Sequence, residues 1–295
     1  MYSQYNSIQR VYSVLNGALY TFGKNINKGE FTMHFTKMHG LGNDYLYVYG
    51  EVPENIEQLS IRLSERHFGA GSDGMIYISP SKVADFKMRI FNADGSEAKM
   101  CGNGIRCVGK YVYDKGYTDK THLNIETLSG IKTLDLQVSG GRVKSVSVAM
   151  GKAQVSQNLT LDVDGKTVVC TPVSVGNPHV VNFVEDIQKA PLTDLGPKME
   201  HHSAFPDGVN VEFVEVIDKK TLRMRVWERG SGVTMACGTG ACATVAAAIS
   251  EGYCPFDEEI SVVLDGGTLK IKIAQDYSVT MTGPAEMIYE GDVVE

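Results

Sequence analysis

Two similar α/β domains facing each other across a cleft are the fold predicted by this 295-residue sequence. Three observations predict it. The phrase Met-Cys-Gly-Asn-Gly at 100–104 returns as Ala-Cys-Gly-Thr-Gly at 236–240, so Cys101 and Cys237 stand 136 residues apart. Each cysteine lies nine residues after a polar residue that ends an apolar stretch: Asn92 in the first copy, Glu228 in the second. Gly-Asn pairs also recur at strand ends, with Asn43 and Asn177 separated by 134 residues. A repeat of this length is too long for a solenoid unit and suits a domain. The expected division is an appendage at 1–32, a first domain at 33–150 and a second at 151–284, with about 285–295 returning to the first.

Along the chain, residues 1–32 are rich in Asn, Ser, Gly and Tyr and show no helical or strand period; Met33 is a second candidate start. Residues 33–39 alternate as a strand, ended by Gly40-Leu41-Gly42-Asn43-Asp44. Over 53–65, Ile56, Leu59 and Leu63 share one helical face. A glycine-rich loop at 66–74 leads to strands at 75–78 and 86–91. The helix after Cys101 buries Ile105, Val108 and Val112, and 123–127, 131–138 and 143–150 alternate as a strand meander. The second half repeats the order. A strand at 173–175 ends at Gly176-Asn177-Pro178-His179, and a loop and helix region covers 184–196. Strands follow at 209–216 and 221–228. The helix at 241–250 is apolar nearly all round, which predicts burial. Strands at 260–264, 268–273 and 278–281 complete the copy, and Ile288-Tyr289 is expected to pack back on the first domain.

Composition narrows the function. Hydrophobic content of 43% with 21% charged residues supplies an ordinary core. A net charge of −7 argues against a nucleic-acid partner, and no apolar run reaches membrane-span length. The six cysteines form no Cys-x-x-Cys pair, so neither a zinc ribbon nor a thioredoxin-type site is expected. His201-His202 lacks further ligands at metal spacing, and no metal is expected. Free thiols and the lack of an evident signal peptide point to a reducing, cytoplasmic setting.

A helix start exposes unpaired N–H groups and a partial positive charge. A cysteine there is expected to have a lowered pKa, and the same N–H groups can cradle a carboxylate. The glycines after the cysteines, Gly102 and Gly238, let a ligand approach the backbone. One carboxylate gripped by both helix starts would place its α-carbon between two sulfurs. One sulfur could take a proton and the other return it to the opposite face, as a cofactor-free racemase requires. The 69–74 loop lacks a dinucleotide or P-loop context, so no cofactor is expected, and the protein must supply electrostatic stabilisation itself. Asn43, Asn92, Asn177 and Asn210 offer neutral contacts, Glu228 an ammonium partner and Arg229 a carboxylate partner. His179 reads equally as a site residue or a hydrogen-bonded loop residue. Cys107, Cys170, Cys242 and Cys254 read as small buried hydrophobes.

The segments 37–44, 91–97 and 100–107, with Val175-Gly176-Asn177-Pro178-His179, Gly208-Val209-Asn210, Trp227-Glu228-Arg229-Gly230 and 236–242, resemble the diaminopimelate epimerase family from about Met33 to the C-terminus. The resemblance implies two mirrored domains, each with a central helix wrapped by a sheet. It implies interconversion of LL- and meso-diaminopimelate without a cofactor, a step toward lysine and peptidoglycan. Cys101 matches the proton donor and Cys237 the acceptor, with roles that swap with direction. Asn43, Asn92, Asn177 and Asn210 match substrate contacts, and His179 a site histidine. Gly102-Asn103 and Gly238-Thr239 match the carboxylate cradle, Glu228 and Arg229 the paired polar contacts. Val233 stands where the family often has Glu, and Trp227 where Tyr is commoner. A proline-type racemase would carry His where Asn103 stands. A thiol switch in a redox or binding protein is the reading from another class. A homodimer is an option the sequence leaves open.

Overall fold

The computed structural model describes residues 10–15, 18–23 and 32–294, with side chains from Met33 onward. β1 (Arg10–Leu15) and β2 (Ala18–Gly23) pair only with each other, as an antiparallel hairpin within the segment expected to lack strand order.

The first half runs β3 (Thr32–Gly40), β4 (Asn43–Tyr49), α1 (Ile56–Ser64), β5 (Gly74–Pro80), β6 (Phe86–Asn92), β7 (Glu97–Ala98), α2 (Gly102–Asp114), β8 (His122–Thr127), β9 (Gly130–Ser139) and β10 (Arg142–Lys152). The second runs β11 (Gln154–Val155), β12 (Leu159–Val163), β13 (Lys166–Ser174), β14 (Pro178–Phe183), α3 (Leu192–Glu200), β15 (Asn210–Asp218), β16 (Thr221–Glu228), β17 (Gly232–Val233), α4 (Gly238–Ser250), β18 (Glu259–Leu264), β19 (Gly267–Ile273), β20 (Ser278–Gly283) and β21 (Glu286–Val294). β10 therefore continues two residues past the expected boundary at 150.

Pairing repeats between the halves. β3 is antiparallel to β4, β4 parallel to β5, β5 antiparallel to β6 and β6 parallel to β8. In the same way β13 is antiparallel to β14, β14 parallel to β15, β15 antiparallel to β16 and β16 parallel to β18. β10 joins β20, so the halves share one continuous sheet system. The last strand of the second half returns to the first, with β21 antiparallel to β3.

Sequence alternation missed β4 and β14 because five consecutive positions of β4 and four of β14 are buried. Each is flanked by a parallel partner, and strands covered on both faces lose the period-two signal. α2 and α4 each pack against strands of their own half, and they meet each other. A large apolar cluster surrounds both helices, with α1 and α3 covering two smaller ones outside. Leu41 and Gly42 both have positive φ, 59° and 89°, in a two-residue turn closed by Gly40 and Asn43. The turn abuts the second half: a Cβ on Gly266 would lie 2.0 Å from the Leu41 carbonyl oxygen, and one on Gly42 3.3 Å from Met235 Cβ. This docking sets Asn43 at the seam.

Candidate active site

Cys101 and Cys237 are the N-caps of α2 and α4, both extended, at φ −136° and −114°. Each sulfur accepts from the backbone N–H three residues on, Gly104 and Gly240, at 3.3 Å. The sequence builds this geometry by placing a short polar side chain before Gly-x-Gly, where the first-turn N–H groups need an acceptor. The two helix starts adjoin. Asn103 Nδ2 donates to the Ala236 carbonyl at 3.1 Å, and a Cβ on Gly102 or Gly238 would meet Met281, at 3.0 Å from its Cε and 3.1 Å from its Sδ.

The hydrogen bonds around the sulfurs have definite directions. Asn43 Nδ2 donates to Asp73 Oδ2 at 2.8 Å, which leaves its Oδ1 toward Cys101 Sγ at 3.3 Å and Asn103 Nδ2 at 3.5 Å. An amide oxygen only accepts, so Cys101 supplies the proton of that contact. Asp73 is oriented by Arg66 at 2.9 Å, and it also accepts from the Asp44 backbone N–H. Burial alone would raise the Asp44 carboxyl, but Lys37 and Arg66 hold it below its ordinary value.

On the other side, Asn177 Nδ2 donates to Thr239 Oγ1 at 3.2 Å, and Thr239 Oγ1 lies 3.6 Å from Cys237 Sγ. Having accepted from Asn177, the hydroxyl has its proton left for the sulfur. Asn177 Oδ1 faces His179 Nε2 at 3.1 Å, and His179 Nδ1 lies 2.7 Å from Glu212 Oε1. Neither the His179 nor the Glu212 side chain is exposed.

Glu228 accepts from the Thr234 hydroxyl, and it also contacts Cys237. Burial raises its carboxyl, the Glu212 charge adds to this, and the Thr234 and Cys237 hydrogen bonds oppose it. Asn210 bridges the Pro178 carbonyl at 2.8 Å and the Arg229 N–H at 3.0 Å. Arg229 Nη1 donates to the Asp207 carbonyl at 2.8 Å, which leaves Nε and Nη2 without a hydrogen bond among the described residues. Asn92 stands apart, with Nδ2 on Ser96 Oγ at 3.1 Å, at the end of β6 that matches Glu228 on β16.

The thiols correct one expectation. Helix starts were expected to lower both pKa values; both are raised. Burial pushes Cys101 up, aided by the Glu228 charge and opposed by the Gly104 and Asn103 N–H groups and by Arg106. Burial pushes Cys237 well up, with Glu228 and Glu212 adding and Thr239 and the Gly240 N–H opposing. The helix-start effect is present, and removal from water exceeds it.

Glu212, Asp73, Thr234 and Arg106 were not singled out from the sequence. Glu212 lies two residues beyond Asn210 on one strand, so the two share a face, and that spacing was a usable signal. Arg106 lies one helical turn from Gly102. Asp73 and Thr234 sit in loops, with nothing in the sequence to pair them with Asn43 and Glu228.

A family model described as diaminopimelate epimerase matches residues 35–156 and 171–288. A diaminopimelate epimerase of Acetivibrio thermocellus is 50% identical over 277 residues, covering 88% of this chain and 98% of that protein. One of Methanococcus maripaludis is 49% identical over 279 residues, covering 88% and 99%. Among solved structures, a Bacillus anthracis phenazine biosynthesis protein of the PhzF family superposes with a TM-score of 0.72 at 18% identity, covering 89% of this chain and 99% of that one. A hydroxyproline epimerase from Agrobacterium vitis gives 0.67 at 16% identity, covering 89% and 92%. These structural likenesses show the shared fold.

Proposed function

From the premise that the chain belongs to the diaminopimelate epimerase family, we propose the following reading of its site. The protein is a diaminopimelate epimerase, an isomerase of lysine biosynthesis, and its substrate is diaminopimelate. The reacting carboxylate lies between the starts of α2 and α4, held by N–H groups of Gly102-Asn103 and Gly238-Thr239. One sulfur, as thiolate, takes the α-proton: the C–H bond breaks, an S–H bond forms, and the electron pair moves into the carboxylate as an enediolate. The other thiol gives its proton to the opposite face and is left as thiolate. The reverse reaction exchanges the roles.

Hydrogen-bond direction carries the assignment. Cys101 donates to Asn43 Oδ1 and so keeps a proton to give, while Thr239 has a proton to offer a Cys237 thiolate. The carboxylates of Glu228 and Glu212 oppose that thiolate in the free protein. A substrate ammonium against Glu228 would remove most of the opposition, which couples base formation to binding. Asn43, Asn92, Asn177 and Asn210 are assigned as substrate contacts, Asn92 from the end of β6, with His179 acting through Asn177 Oδ1, and Arg229 meets the distal carboxylate. The division into domains at 33–150 and 151–284 is part of this reading, supported by the repeated pairing. A reducing cytoplasm fits six free thiols. Purified protein given LL-diaminopimelate without added pyridoxal phosphate or metal should form the meso isomer. Failure under those conditions, with folded protein, would refute the reading.

A further inference from the structure

Arg106 is the one fully buried lysine or arginine side chain among the described residues, with none of its surface exposed. It lies on α2 and turns back toward the helix start. Nη1 donates to the Gly102 carbonyl at 3.0 Å, Nη2 to Asn103 Oδ1 at 3.0 Å, and Nε to the Pro284 carbonyl at 3.1 Å. Met281 Sδ completes the surroundings at 3.9 Å from Nη1. Every acceptor is neutral. No carboxylate of the described residues lies within ion-pair distance of it, whereas the largely buried Lys37 is paired with Asp44 at 2.9 Å.

The slot is built for this group. A Cβ on Gly40 would fall 2.9 Å from Nη2 and one on Gly283 3.0 Å from Nε, so a glycine of each half leaves room for the guanidinium. Burying a cation without a counter-ion costs several kcal/mol, and removal from water pulls the pKa of this guanidinium down. The ionisable groups facing it are Cys101, Cys107, Cys242 and Tyr47, all uncharged as thiol or phenol. In the resting protein, with these groups protonated, a compensating negative charge has to come from a bound ligand. The carboxylate proposed above is such a charge, and it gains a second one when its α-proton leaves.

We propose that Arg106 is a positioning residue for the reaction, a fixed cation behind the α2 cradle whose charge favours the enediolate and whose fork holds Asn103. The assignment rests on the carboxylate lying at the two helix starts. Arg106 polarises the peptide between Gly102 and Asn103 through the Gly102 carbonyl, which strengthens the Asn103 N–H aimed into the cradle. By occupying Asn103 Oδ1 it also turns Nδ2 toward the Ala236 carbonyl, the residue before Cys237. One side chain thus ties the first cradle to the approach of the second thiol.

The test compares Arg106→Gln and Arg106→Lys in the full chain. Cys101 alkylation by iodoacetate, an anion, and by iodoacetamide, which is neutral, is followed by peptide mapping. This reads the charge behind the cradle without reference to turnover. Arg106→Gln should lower the iodoacetate-to-iodoacetamide rate ratio about tenfold and kcat about 100-fold, with KM changed by less than about threefold. Arg106→Lys should keep the ratio within about twofold and lose less of kcat, since the charge stays and the fork goes. An unchanged ratio in folded Arg106→Gln, or equal loss of ratio and kcat in both variants, would overturn the proposal. If Arg106→Gln does not fold, Arg106→Lys decides alone: a retained ratio supports the role, and a tenfold fall overturns it. Were the wild type not an epimerase, turnover would be absent while the alkylation ratio remained readable.

Discussion

His179 and Glu212 share a 2.7 Å hydrogen bond with neither side chain exposed, and the first half shows no such pair among the described residues. Tyr45 stands two residues after Asn43 as His179 does after Asn177. Ile76 Cδ1 lies 2.7 Å from a Cβ on Gly104, where Glu212 Oε1 lies 2.8 Å from one on Gly240. The fold repeats, while the chemistry beneath the two thiols differs. Cys101 is linked through Asn43 to the part-exposed Asp73; Cys237 ends a hydrogen-bonded chain through Thr239, Asn177 and His179 to a fully buried carboxylate.

That pair should behave as a unit. Glu212→Leu strands a buried ring nitrogen and should cost about 1–3 kcal/mol in urea unfolding. His179→Phe in the same chain should recover part of the loss, because the two apolar groups then face each other and only the half-buried Asn177 Oδ1 loses a partner. Additive losses in the double variant would show that the two side chains act independently.

Each thiol should be indispensable. Cys101→Ala and Cys237→Ala are each expected to abolish epimerisation while leaving far-UV circular dichroism unchanged. Iodoacetamide should inactivate the enzyme by labelling these two cysteines, with substrate protecting them. Near-normal turnover in both directions by either variant would rule out a two-thiol mechanism.

Alkaline pH should act in opposite senses on activity and stability. Burial raises both site thiols, and one must ionise to act as base, so kcat/KM should climb with pH through the neutral range. Cys107, Cys170 and Cys254 are pushed up to about 11 and Cys242 to about 12, by burial above all. Their folded values exceed the unfolded thiol value of about 8.5. The stability they favour is fully present below that value and is lost as pH rises through 11 to 12, because the unfolded chain ionises first. The urea midpoint should therefore fall between pH 8 and pH 10.5. A flat midpoint would contradict the burial argument.

Arg229 should set substrate choice. Its backbone is held by Asn210 and its Nη1 by the Asp207 carbonyl, with the rest of the fork left for a carboxylate. Arg229→Ala should lose about 2–5 kcal/mol in kcat/KM, and Arg229→Lys about tenfold. Lysine, which lacks the distal carboxylate, should be a very poor substrate of the wild type. Comparable specificity constants for lysine and diaminopimelate would refute this clamp.

Much of this arrangement is legible in the sequence because it repeats. The spacing of Cys101 and Cys237, with that of Asn43 and Asn177, predicts both helix starts and their meeting, and the alternating strands of each meander form as expected. The losses have physical causes. β4 and β14 are buried on both faces and carry no alternation. The thiol pKa values depend on burial created by the opposite half, which no local pattern encodes. Asp73 reaches Asn43 only through tertiary folding, and Arg106 reads as one more helical arginine until Gly40 and Gly283 enclose it.

The most direct test of two-thiol proton transfer is epimerisation of LL-diaminopimelate in D2O, stopped at a few per cent conversion, with deuterium located by mass spectrometry. Because the proton delivered to the product comes from the second, solvent-equilibrated thiol, the meso product should carry one α-deuterium while recovered LL substrate stays protiated. Product that retains its original α-hydrogen, returned by the group that removed it, would contradict the account.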